Sequence, residues 1–275
     1  DIMAHPKFHI IASAFLFTLL SCTQHSRLKK GPTDDTNDYK PVSAKELTDK
    51  LETAYTRKAD DKLGQFFADW NTNVPPNSKK FIEQNDTINA LFDAYKAFYQ
   101  PLDLLKLGDW EWGNELNAGS KYVVINNTIS YMVTNSFEHF DWQNPNMREI
   151  GDFRPPTTID SKKVLYLTPE YDSTLRQFLG TESTEAGEPN IMNPARPKGE
   201  SEKRYKTLRP YIPILHGHWN GWHLNTHPSV SYLLLNKDLT QAHINFRVGY
   251  QGGEATLKKD GNSWTIKESK ATWIE

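Results

Sequence analysis

The sequence predicts an α+β fold in which N-terminal helices pack on one face of a curved antiparallel sheet. Two observations carry this. Apolar residues recur at helical spacing through the first hundred residues, whereas the last third alternates apolar and polar residues with a period of two and is punctuated by turn residues. Helices first and a meander last is the chain order of α+β domains, where the helices are segregated to one side of the sheet. At 275 residues, 37% hydrophobic and 12% aromatic, the chain has the material for a packed core despite its polar average. A single domain over residues 43–275 is the expected organisation.

Taken in order, Ser43-Ala44-Lys45-Glu46 has the form of a capping box, after which Leu47, Leu51, Ala54 and Tyr55 follow one helical face. Leu63, Phe66, Phe67 and Trp70 predict a second helix that ends by Pro75-Pro76. Phe81, Ile88, Leu91, Phe92, Tyr95 and Phe98 predict a third, from Asn77 to Tyr99, stopped by Pro101. The aromatic stripe on that helix is a core face. Residues 122–133 read as strand, 141–156 as irregular, and 169–180 as a helix closed by its glycine. The Gly/Pro/Glu-rich stretch 181–204 reads as a mobile loop.

Ala242, Ile244, Phe246, Val248 and Tyr250 alternate with His243, Asn245, Arg247 and Gly249, which is a strand with one face buried. Gly252-Gly253 is expected to turn the chain, and Asp260-Gly261-Asn262 to turn it again into a final strand from Ser263 to Ile274.

The N-terminus carries an address. From Met3 a short segment with Lys7 leads into the apolar run Ile10 to Leu20, then Ser21 and Cys22. The run is shorter than the ~20 residues of a spanning helix, so it predicts a signal peptide over residues 1–21. Leu19-Leu20-Ser21-Cys22 resembles the lipobox of bacterial lipoproteins, which implies cleavage before Cys22 and acylation of its thiol and new amine. Several acyl chains, at ~0.8 kcal/mol per buried CH₂, anchor durably where one binds marginally. Residues 22–42 are polar and read as the flexible tether of that anchor. The implied address is the cell envelope, at the outer membrane.

Two further resemblances concern the domain. Helices followed by Trp-bearing strands, with LETAYTRKADDKLGQFFADW near the start, resemble an NTF2-like domain, a cone-shaped fold that often holds a small-molecule cavity between sheet and helices. The final stretch, HINFRVGYQGGEATLKKDGNSWTIKESKATWIE, resembles the ends of Bacteroidota lipoproteins. Neither resemblance carries an activity, because one fold hosts many functions.

Several function classes are disfavoured. Thirty-two Lys and Arg against 34 Asp and Glu give a formal charge of −2, without the broad positive field of a nucleic-acid binder. A single cysteine leaves no internal disulfide and no multi-cysteine metal site. No Gly-x-Ser-x-Gly elbow or GxxxxGK[ST] loop is present.

One cluster could carry chemistry. Four of the nine histidines fall within LHGHWNGWHLNTHP, residues 215–228. Asn220-Gly221 is the favoured pair for a two-residue type I′ turn. Such a turn pairs Trp219 with Trp222, His218 with His223 and His216 with Asn225, and places His216, His218, His223, Asn225 and His227 on one face. That face, with Trp219 and Trp222 on the other, is the candidate ligand-binding site. Its alternative use is zinc held by His216, His218 and His223, with His139 and Asp141 as possible contributors, acidifying a water for hydrolysis. Asp109-Trp110-Glu111-Trp112 also pairs carboxylates with aromatics, although a solvated turn with core tryptophans explains it as well. The sequence therefore predicts a lipid-anchored binding domain for a small molecule, glycan or protein partner, without cofactor, with the zinc hydrolase as rival.

Overall fold

The computed structural model describes residues 29–30, 39, 41–99, 119–137, 144–158, 162–180, 194–197, 199–216, 222–224, 229–248 and 251–274. Helices α1 (Ala44–Thr56), α2 (Asp60–Asn73), α3 (Lys79–Ile82) and α4 (Asp86–Tyr99) precede most of the sheet, with the two-residue β1 (Lys29–Lys30) before them. Then come β2 (Tyr122–Asn126), β3 (Ile129–Val133), β4 (Arg148–Ile150), β5 (Lys163–Leu167), α5 (Pro169–Leu179) and α6 (Glu200–Leu208). The chain closes with β6 (Ile214–His216), β7 (Trp222–Leu224), β8 (Ser229–Leu235), β9 (Gln241–Val248), β10 (Gln251–Asp260) and β11 (Ser263–Ile274).

The architecture is mixed α+β. A seven-stranded, mostly antiparallel sheet runs β1-β4-β3-β8-β9-β10-β11, beside the separate pairs β2-β5 and β6-β7. Three pairings are parallel: β3 with β8, β1 with β4, and β2 with β5. These depart from the all-antiparallel sheet expected. A parallel partner requires a long return connection, and α5 and α6 lie between β3 and β8.

Local chemistry accounts for the element ends. Ser43 Oγ accepts from the Glu46 backbone N–H at 3.2 Å and starts α1, as the capping residue predicted. The single helix expected over 77–99 is broken in two. Ser78 Oγ caps α3 through the Phe81 N–H, and Asn85 Oδ1 caps α4 through the Ile88 N–H at 3.0 Å. An Asn side chain that takes a backbone donor offers the chain a fresh helix start in place of continuation. Gly180 follows α5 with φ of 63°, as its predicted closing glycine.

Three other expectations change. Val248 pairs with Gln251, so Gly252 and Gly253 lie inside β10 opposite Arg247 and Phe246, and the turn precedes them. Helix α6 begins at Glu200, inside the stretch read as a loop; residues 181–193 of that stretch lie outside the described residues. Ion pairs supply the order that composition did not reveal, since Glu52 Oε1 accepts from Arg204 Nη1 at 2.5 Å and from Arg196 Nη2 at 3.2 Å. Residues of the segment expected to be a tether also touch the domain. Lys29 and Lys30 pair with β4, and Tyr39 stacks under the Arg154 guanidinium at 4.8 Å.

The core lies between the helices and the sheet. Trp70 stacks on Tyr171 at 4.1 Å and donates through Nε1 to the Tyr166 carbonyl, while Phe67 stacks on Tyr211 at 4.7 Å. From β9, Ala242, Ile244, Phe246 and Val248 all point inward, and Phe246 meets Phe98 of α4 at 4.9 Å. Arg154 is a buried cation at 1% exposure, bidentate to Asp152 at 2.8 and 3.0 Å and donating to the Pro75 carbonyl. Saturating a buried guanidinium in this way offsets the cost of taking its charge out of water.

Candidate functional site

The histidine hairpin forms, in a different register. Ile214 pairs with Leu224, Leu215 with His223 and His216 with Trp222. A two-residue turn at Asn220-Gly221 pairs His218 with His223 instead; residues 217–221 lie outside the described residues. The pairing sum falls by three residues, an odd shift, and an odd shift exchanges the faces of one strand relative to the other. His216 thus pairs with Trp222 and His223 with Leu215, where the expectation paired His216 with Asn225 and His223 with His218. Trp222 is committed to the fold: its Nε1–H donates to the Gly180 carbonyl at 3.0 Å, and its ring packs against the main core. Of the remaining candidates, Cys22, His139, Asp141, His218, Trp219, Asn225 and His227 lie outside the described residues, as do residues 109–112. Among the described residues no group of three or more His, Cys, Asp or Glu is placed to hold a metal ion.

The structure assembles a second set of polar side chains, on the face of the large sheet turned away from the core helices. Register alone aligns it. Ser130 of β3 pairs with Tyr232 of β8, Tyr232 with Asn245 of β9, Asn245 with Glu254 of β10, and Glu254 with Lys270 of β11. One row further along, Met132, Leu234, His243, Thr256 and Glu268 are paired in the same way. On the other side Arg247, Gly252 and Trp273 form a third row. Because side chains alternate along each strand, the buried residues of β9 fix the core face and these rows share the opposite one. A β-bulge at Ser231 keeps Tyr232 in phase with this face, and a second at Thr272 does so for Trp273.

This outer face is half-buried and graded in character. At one end Met132, Met147 and Leu234 form a small apolar cluster with Phe137 and Tyr232 packed against it. Phe137 also stacks on the His243 ring, 6.0 Å between centroids. In the middle His243 Nε2 lies 3.9 Å from Glu254 Oε1, beyond hydrogen-bond reach. Desolvation pushes the His243 pKa down, with Lys270 assisting and Glu254 opposing, so the imidazole is neutral at neutral pH. Burial, helped by Glu254, raises the Tyr232 pKa and keeps that phenol protonated. At the far end Trp273 is 46% exposed, with the Arg247 guanidinium 5.5 Å from its ring centre. A neutral imidazole, a phenol, an amide and a carboxylate are fixed donors and acceptors of the kind that orient a polar ligand beside apolar surface.

An open cleft of about 430 Å³ adjoins the apolar end, lined by Thr87, Tyr131, Met132, Val133, Asn146 and Arg148. The space between helices and sheet, where the NTF2-like resemblance implies a cavity, is occupied among the described residues by Phe98, Tyr131, Phe153 and Phe246, each fully buried. The alternation at His243, Asn245 and Arg247 was the signal for this face in the sequence. Its partners Tyr232, Glu254 and Trp273 carry no comparable pattern.

Comparison of the chain with protein families, with curated proteins and with solved structures gave no match.

Proposed function

We propose that this protein is a lipid-anchored component of the bacterial cell envelope, held at the outer membrane through Cys22, whose α+β domain binds a ligand on the outer sheet face without turning it over. The ligand is a small molecule, a glycan or a segment of a partner protein. The observation that carries the binding reading is the half-buried row Tyr232, Asn245 and Glu254 beside an exposed tryptophan, on a face that the core helices leave uncovered. Polar side chains oriented by sheet register and partly desolvated cost the fold stability, and recognition is the usual return on that cost. The lipobox motif supports the anchor. Helices preceding long, bulged antiparallel strands support an NTF2-like cone as the finer description of the fold.

Two measurements on the full chain test this. Metabolic labelling with a clickable fatty acid should mark the wild type and leave Cys22→Ala unmarked; equal labelling of both refutes the anchor. A thermal-shift screen against sugars, nucleotides, peptides and lipids should return a stabilising ligand whose effect is abolished by Asn245→Ala. A ligand whose effect survives substitutions at Tyr232, Asn245 and Glu254 alike refutes the outer face as its site.

A further inference from the structure

Trp273 is a large aromatic left about half exposed in a chain whose other described tryptophans and phenylalanines are more enclosed. Its position is also fixed closely. The indole lies across Gly252: a Cβ added there would fall 2.0 Å from its Cε2, 2.1 Å from its Nε1 and 2.5 Å from its Cζ2. Only glycine at this point of β10 lets the ring settle on the strand, which explains a glycine inside a strand interior. One face of the ring is thus backed by the sheet, and about half of the side chain still meets solvent. The Arg247 guanidinium lies over the ring, 5.5 Å from its centre, where it admits a stacked ligand only by swinging aside, and Asn245, Glu254 and Lys270 occupy the adjacent row.

Charge narrows the ligand. Arg247, Lys258 and Lys270 are balanced by Glu149, Glu254 and Glu268 on the same face, so the surface offers no net field to a phosphate, a polyanion or a cation. What it does offer is an aromatic plane ringed by planar polar groups. A pyranose matches both parts: its C–H face packs against an indole, and its equatorial hydroxyls pair as donors and acceptors with guanidinium, carboxylate and amide.

We propose that the Trp273 end of the outer face is a subsite for a neutral hexopyranose unit of a glycan, with Trp273 as the stacking platform and Arg247, Asn245 and Glu254 as hydroxyl partners. This rests on the outer-face reading above and names its ligand class. Covering a strand glycine with an aromatic is also a structural device, and it predicts stability effects alone. The subsite predicts binding effects as well.

The test uses the full chain in calorimetric titrations with neutral hexasaccharides of glucose, mannose, galactose and N-acetylglucosamine, alongside hexagalacturonate and AMP. At least one neutral hexasaccharide should bind and shift the tryptophan emission. Trp273→Ala should weaken that binding by about tenfold or more, as removal of a central aromatic contact does. Trp273→Phe, which keeps a smaller platform, should retain part of the affinity, and Arg247→Ala should weaken it with the melting temperature little changed. Equal affinity in wild type and a folded Trp273→Ala overturns the subsite, as does absence of binding by every neutral hexasaccharide. Binding of hexagalacturonate or AMP alone, sensitive to Asn245→Ala and not to Trp273→Ala, overturns the sugar subsite while leaving the outer-face reading standing.

Discussion

Removing the Glu52 carboxylate should loosen the clasp that holds the segment around Arg196 and helix α6 to the body of the domain. Glu52 Oε1 is shared by Arg204 Nη1 at 2.5 Å and Arg196 Nη2 at 3.2 Å, with the side chains of Arg204 and Arg196 8% and 20% exposed. A charge-assisted hydrogen bond contributes ~1.5–3 kcal/mol net, so two set a ceiling of ~3–6 kcal/mol. Both arginines keep other acceptors, however. Arg204 retains Glu200 at 3.0 Å and the Phe178 carbonyl, and Arg196 retains the Gln177 and Phe178 carbonyls. Glu52 is itself 30% exposed, which admits water to the gap. The expected loss for Glu52→Ala is therefore about 2–3 kcal/mol, and about half that for Glu52→Gln, which keeps an acceptor. Urea melts with unchanged m-values measure it. Pairing Glu52→Leu with Arg204→Met should recover part of the loss, because an apolar pair replaces a desolvated ionic one and no charge is stranded. A Glu52→Ala protein within about 0.5 kcal/mol of wild type would refute the clasp, since that is the scale of an ordinary surface change.

Phe246→Ala should cost about 3–5 kcal/mol, because the ring is buried against Phe98 and its loss leaves a cavity, whereas His243→Ala on the opposite face should cost much less; equal losses in matched melts would contradict the assigned phase. Trp222→Phe should cost about 0.5–1.5 kcal/mol through the lost bond to the Gly180 carbonyl, read from the melting temperature. Stability should fall as the pH drops below about 7. The folded pKa of His243 lies below its unfolded value of ~6.5, so the unfolded chain binds more protons in that interval; the loss runs as pH falls through ~6.5 and levels off below the folded pKa, and His243→Gln should flatten it. Zinc added to the full chain tests the metal reading: a stabilisation abolished by His216→Ala or His223→Ala supports it, and an unchanged melting temperature refutes it.

Much of the fold was legible wherever periodicity was local. The faces of α1 and α2, the cap at Ser43, the closing Gly180 and the alternation of β9 each depend on residues within a few positions of one another, which is the range over which a helix or strand repeats. The break between α3 and α4 was missed because one capping asparagine outweighs an aromatic stripe that continues across it. The hairpin was found and its register missed. Asn220-Gly221 favours a two-residue turn, but Trp222 docks its indole on the end of α5, 42 positions away, and pins β7 opposite β6 three residues out of the expected pairing. Turn preference is worth less than burying an indole with its N–H satisfied.

By itself the sequence determined the class of the domain, the helix-then-sheet order, and which residues of β9 face inward, since these follow from hydrophobic spacing. The resemblance of Leu19-Leu20-Ser21-Cys22 to a lipobox is likewise a property of adjacent residues. Only the tertiary structure decided that Tyr232, Asn245, Glu254 and Lys270 share one row and that Trp273 rests on Gly252 beside Arg247. The physical reason is that a sheet face is built laterally, from the register of four strands and two bulges. A one-residue slip in any of them would send its side chains into the core, and no pattern along a single strand specifies the phase of its neighbours.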